Sequence, residues 1–183
     1  MKQVLILLGK ARSGKDTVAD FLEEKFGFKK FVFSSVLEEE LKKQGKEVSK
    51  QNMASLGDEL RKKFGMAVMA EKILKKVKEE EKIVFVGPRS LEEVELIKEK
   101  FPQAKVLLIT APEEKRFERR TEIDPQQEKD FHLRDKADEE KKGMKKIFVL
   151  ADFKIENNSS LEDLFAKISD LMYNIFKEKR QII

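Results

Sequence analysis

Gly9-Lys10-Ala11-Arg12-Ser13-Gly14-Lys15-Asp16-Thr17 is the stretch on which the reading of the fold turns. It follows a short aliphatic run, Gln3–Leu8, that reads as a fully buried strand. It precedes Val18, Phe21, Leu22 and Phe26, an apolar stripe at helical spacing that Gly27 closes. Small residues between a strand and a helix let backbone N–H groups turn inward towards phosphate oxygens, and the helix N-terminus adds partial positive charge. Lys15 then reaches the outer phosphates as a point charge, and Thr17 sets a hydroxyl on the first helical turn. The strict form of the pattern has Ser or Thr after the lysine, and here the residue is Asp16. A carboxylate at that place either holds Mg²⁺ or its waters, or serves as a favourable first-turn helix residue. Gly9, Arg12, Ser13, Gly14, Lys15, Asp16 and Thr17 are therefore the candidate nucleotide-binding set. The bland alternative is a glycine-rich turn without a ligand.

Outward from the loop, strands alternate with helices. Short strands are expected at Phe31–Phe33, Ile83–Val86, Lys105–Thr110 and Phe153–Ile155, and helices at about 35–44, 51–64, 66–78, 90–100 and 160–178, with another after Pro112. The stretch 121–143 is polar and nearly free of aliphatics, so it reads as a mobile insertion with helical portions. This alternation calls for a mostly parallel sheet covered on both faces, in one domain over residues 1–183.

At 183 residues the chain is long enough for a substantial core. It carries 39 basic and 35 acidic side chains, so a net charge of +4 points to mixed-sign solvated faces and away from a nucleic-acid surface. The absence of cysteine excludes disulfides, zinc-thiolate sites and cysteine nucleophiles. The N-terminal apolar run is too short for a signal peptide or a membrane span, and a soluble cytoplasmic protein is expected. The predominance of Lys and Glu is the direction hyperthermophile compositions take.

Lysine is the ordinary surface cation here, 31 against 8 arginines, so each arginine is informative. The guanidinium fork grips phosphate through two parallel bonds. Arg12 lies in the loop, and Arg89 follows a strand end, where open α/β sheets bind ligands. Arg116, Arg119 and Arg120 stand at i, i+3 and i+4, and would share one helix face beside the polar insertion. Arg116 and Arg120 are the candidates for stabilising charge during transfer; the alternative is a solvated face paired with Glu113, Glu114 and Glu118. Asp58 and Arg61 either contact an acceptor or form an i,i+3 ion pair. His132, the single histidine, reads as a solvated side chain.

Taken together these residues resemble the nucleoside-monophosphate-kinase group of P-loop proteins, and in particular the archaeal family described as adenylate-kinase-related or dephospho-CoA-kinase-like. Ser13-Gly14-Lys15-Asp16-Thr17 is also similar to the loop of phage-type deoxynucleoside monophosphate kinases. Ser34-Ser35, Leu56-Gly57-Asp58-Glu59-Leu60-Arg61, Gly87-Pro88-Arg89-Ser90 with Glu92-Glu93-Val94, the stretch from Ala111-Pro112 to Arg119, and 151–157 carry the rest of the likeness. The resemblance implies a three-layer α/β/α fold with a five-stranded parallel sheet and a small helical lid at about 116–143. It implies ATP and Mg²⁺ as the donor pair, and an acceptor region at about 34–80 where Ser34, Ser35, Asp58, Arg61 and Arg89 face a nucleotide-like small-molecule acceptor. There are two departures. Val86 stands where the family turn has Asp, so Asp16 either takes over the metal or metal binding weakens; Glu122 and Asp124 lie where the family has more arginine.

The leading expectation is an ATP-dependent phosphotransferase in which Lys15, Asp16, Arg116 and Arg120 act on the transferring group. The alternatives are a nucleotide-binding sensor with little turnover, which Val86 favours, and a P-loop ATPase acting on RNA or protein, which the near-neutral charge disfavours.

Overall fold

The computed structural model describes residues 2–122, 124–141 and 143–177. The expected helix end at 178 and the expected domain's outermost residues, 1 and 178–183, lie outside them. Five strands, β1 (Gln3–Leu8), β2 (Lys29–Val32), β3 (Lys82–Val86), β4 (Lys105–Thr110) and β5 (Phe153–Glu156), form one parallel sheet in the order β2-β3-β1-β4-β5. The helices are α1 (Lys15–Phe26), α2 (Phe33–Lys43), α3 (Lys50–Phe64), α4 (Val68–Leu74), α5 (Leu91–Lys100), α6 (Glu113–Glu118), α7 (Glu128–Lys141), α8 (Met144–Phe148) and α9 (Leu161–Phe176).

Central placement explains the composition of β1. It pairs with β3 on one side and β4 on the other, so both of its faces must be apolar. Val4, Ile6 and Leu8 point into the layer with α2–α5 and α8, and Leu5 and Leu7 into the layer with α1 and α9. The register Leu7↔Val86 brings the carboxyl ends of β1 and β3 side by side, with the phosphate loop after one and Gly87-Pro88-Arg89 after the other. Crevices outside such strand ends are where open α/β sheets hold ligands.

Two expected boundaries shift markedly, each for a physical reason. The second strand is Lys29–Val32, not Phe31–Phe33, because Phe33 already opens α2, and the Ser35 hydroxyl donates to Val32 C=O at 2.7 Å. The lysines at its start hide the strand from an apolar pattern, although charged edges are common. The helix expected at 66–78 is only Val68–Leu74, since beyond it Val77 is the sole apolar residue before Ile83 and nothing is left to bury. The polar insertion contains the 14-residue α7, anchored by buried Phe131 against Phe117 at 5.4 Å.

Ser49, Ser90 and Ser160 each cap a helix by accepting a backbone N–H three residues on. Ser160→Ala is expected to cost about 1 kcal/mol, read as a lower denaturation midpoint, while Ser160→Asp holds it near wild type.

Candidate functional site

The phosphate loop bridges β1 and α1 at the centre of the sheet edge. Two of its residues have left-handed backbone: Gly14 (φ 100°) and, unusually for a non-glycine residue, Arg12 (φ 62°). A Cβ on Gly9 would overlap the Ser13 hydroxyl and stand 2.6 Å from Ile109 O. Ser13 is wholly buried, and its Oγ has no hydrogen-bond partner. The ladder of α1 begins with Val18 N–H donating to Gly14 C=O at 3.0 Å, which leaves the earlier N–H groups of the first turn ahead of it. Lys15 runs beside Gly87, where a Cβ would stand 3.4 Å from its Cε. An unpartnered buried hydroxyl, first-turn amides and an ammonium at the same place fit a polyphosphate.

Asp16 is exposed and lies 3.2 Å from Lys15 Nζ, on the first turn of α1. Thr17 is partly buried on the same turn. Val86 ends β3 buried, so no carboxylate stands at that position. Among the described residues no three His, Asp or Glu side chains cluster as a metal cage. Mg²⁺ at a nucleotide needs fewer, one or two carboxylates beside the phosphates.

The arginines do not form one face. Helix α6 ends at Glu118, so only Arg116 lies within it. Arg116 is almost wholly buried: its guanidinium pairs with Asp135 of α7, approaches Glu113 at 3.8 Å, and donates to Ala111 C=O (3.2 Å) and to Ala11 C=O (3.3 Å) in the phosphate loop. Arg119 Nη2 turns to Asn157, donating to its backbone O at 3.1 Å and Oδ1 at 3.4 Å. Arg120 folds over the Phe117 ring at 3.9 Å and donates to Phe117 C=O. Arg12 is held by the polar turn that follows: Nε donates to Asp124 Oδ2 and Nη2 to Thr121 Oγ1, both at 2.6 Å. His132 is exposed and lies 3.0 Å from Glu113.

On the β3 side, Arg61 pairs not with Asp58 but with Glu93 of α5, at 2.9 Å. Its guanidinium folds back along α3 over Gly57, where a Cβ would stand 3.1 Å from Nη1. Glu93 is fully buried and its other oxygen accepts Arg89 N–H at 2.6 Å, so one carboxylate ties α3 to the turn after β3. The Arg89 side chain and Ser34 are exposed, Asp58 is exposed, and Ser35 uses its hydroxyl on Val32. Lys50, at the start of α3, was not singled out by sequence, since one lysine among many carries no signal. Its pKa is pulled below the ordinary lysine value, first by the protein crowding its ammonium, then by Arg12, Arg89 and Lys15, with Asp124 opposing. The loop, the β3 turn, the 121–124 turn and the start of α3 thus converge in one cationic place.

Known proteins share this fold. The family described as AAA domain matches residues 8–135, from the end of β1 into α7. A UPF0200 protein of Thermococcus kodakarensis is 30% identical over 96% of this chain and 99% of its own length. The chain belongs to the UPF0200 family. A UPF0200/UPF0201 protein of Archaeoglobus fulgidus is 34% identical over 96% of this chain, which spans only 56% of that relative's length. Among solved structures, shikimate kinase from Bacteroides thetaiotaomicron superposes with a TM-score of 0.64 at 14% identity, over 95% of this chain and 98% of that one. Shikimate kinase from Acinetobacter baumannii in complex with shikimate gives 0.59 at 19% identity, over 99% and 97%. The UPF0200 chain therefore has a P-loop kinase-like fold. No helix among the described residues is long and apolar enough to cross a membrane.

Proposed function

We propose that this protein is an ATP-dependent phosphotransferase acting on a nucleotide-like small-molecule acceptor, of the nucleoside monophosphate or dephospho-CoA type. The carrying observation is the adjacency of two cationic strand ends: Lys15 passes Gly87 at the head of the turn that bears Arg89. ATP with Mg²⁺ supplies the phosphoryl group; an acceptor oxygen bonds the γ-phosphorus, the bond to the β-bridging oxygen breaks, and ADP and a proton leave. Such transfer needs positioning and charge neutralisation more than covalent chemistry.

Ser13, Gly14, Lys15 and Thr17 hold the donor phosphates, and Asp16 holds the metal or its waters. Arg89, Lys50 and Arg61 fix an acceptor anion, with the region 34–80 forming the acceptor side and 116–143 the lid of a single domain. Most donors of Arg116 are engaged by Asp135, Glu113 and two carbonyls, so it ties lid to loop, and Lys15 with Arg12 takes the charge-stabilising part. The superposition on shikimate kinases supports a small acceptor.

An ATP/Mg²⁺ transfer assay against nucleoside monophosphates, dephospho-CoA and shikimate tests the reading, with ADP release dependent on one acceptor as the expected result. A second reading, a nucleotide-binding regulator with little turnover, is favoured by Val86 and by the Asp124 carboxylate on Arg12. Tight ATP binding without product from any acceptor selects it, and absence of ATP binding removes both. Asp124 competes with phosphate for Arg12, so Asp124→Asn is expected to tighten ATP binding about three- to tenfold by calorimetry. Unchanged or weaker binding assigns Asp124 to loop geometry instead.

A further inference from the structure

Asn157 follows β5 and lies 144 residues from Ser13, yet its side chain reaches the phosphate loop. Nδ2 donates to Ser13 C=O at 2.9 Å, and Oδ1 and the backbone O accept from Arg119 Nη2. The amide orientation follows from chemistry: a carbonyl only accepts and a guanidinium only donates. Asn157 N–H donates to Thr110 C=O at 2.7 Å, so the side chain stands on a backbone fixed to the end of β4. Asn157 is buried, and a Cβ on Gly14 would overlap its Nδ2, so that glycine is required by this amide as well as by its left-handed backbone.

We propose that Asn157 is a positioning residue for the phosphate loop: its amide holds the Ser13 carbonyl outward, and so turns the Gly14 N–H on the opposite side of the same peptide towards the anion. This rests on the phosphate-binding reading of the loop. A trans peptide plane carries its C=O and N–H on opposite edges, so fixing one fixes the other. Two further atoms at this place lack a partner, the buried Ser13 Oγ and the buried Arg119 Nη1, and both suit an anionic or polar ligand held there. Asn157 combines a donor to the loop with an acceptor for Arg119. An aspartate keeps the acceptor and sets oxygen against oxygen at Ser13.

The test compares wild type, Asn157→Ala and Asn157→Asp for ATP affinity by calorimetry, for KM and kcat in the transfer assay, and for thermal midpoint. Both variants are expected to bind ATP about tenfold more weakly and to raise KM for ATP, with KM for the acceptor unchanged. Asn157→Asp impaired at least as much as Asn157→Ala, despite keeping the Arg119 contact, supports the Ser13 bond as the determinant. Wild-type ATP affinity in both variants overturns the inference, and so does recovery of affinity in Asn157→Asp alone. If Asn157→Ala does not fold, the Asn157→Asp comparison decides by itself. A wild type that binds no ATP sinks the phosphate-binding reading, and this inference with it; the variants' failure leaves that reading standing.

Discussion

Lys15→Ala is expected to lower phosphoryl transfer by about 10²–10³-fold while the protein stays folded, because the residue's work is electrostatic and local. The ammonium sits at the end of the phosphate loop with its stem beside Gly87, and its ion-pair partner is Asp16, whose side chain is 68% exposed. Truncation therefore orphans no buried charge, because the carboxylate left behind is solvated. The thermal midpoint should move by only a few degrees. Lys15→Arg keeps the charge but not its compact shape beside Gly87, and should recover a small part of the rate. A Lys15→Ala enzyme with undiminished transfer would falsify the proposed site, since Lys15 is the residue the proposal places on the outer phosphates.

Glu93→Ala should give the largest loss of stability. Glu93 is fully buried and holds two partners at once, Arg61 at 2.9 Å and Arg89 N–H at 2.6 Å, while Arg61's own side chain is only 12% exposed. Removing the carboxylate leaves a guanidinium buried without its counter-charge, which typically costs about 3–5 kcal/mol. In a chain of this length that corresponds to a fall in midpoint of roughly 6–20 °C. Glu93→Gln keeps an acceptor for the amide and loses less. Chemical denaturation of the three proteins measures both values, and a Glu93→Ala loss below about 1 kcal/mol would mean that solvent reaches Arg61 freely.

What the sequence made legible was local. The loop from Gly9 to Thr17 reads as a phosphate cradle because its strand, turn and helix signals are contiguous; alternation of apolar runs with helical stripes gives a mostly parallel sheet, and the family resemblance implies its five strands. The roles of the arginines were less legible because they depend on distant partners: Asp124 lies 112 residues from Arg12, and Glu93 lies 32 from Arg61. An i,i+3 spacing offered Asp58 as one of two alternatives for Arg61, the other being an acceptor, but a buried carboxylate is a stronger attractor than an exposed one. The arginine triplet misled because its spacing assumed a helix through residue 120, and α6 stops two residues earlier. Asn157 lay inside a stretch that carried the family likeness, yet nothing in the sequence pointed its amide at Ser13.

The central position of β1 has a consequence for synthesis. Its neighbours are β3 and β4, in register at Gln3↔Lys82 and Leu5↔Lys105, so its pairings join segments about 80 and 100 residues apart. At translation rates of about 5–20 residues per second, the most aliphatic strand of the sheet waits roughly 4–16 s for its first neighbour to be made. During that wait it is a sticky, unpaired ribbon on a nascent chain, and in-sheet closure around it is intrinsically slow. Folding yield in the cell should therefore depend on whatever shields residues 3–8 until the strand at 82–86 arrives.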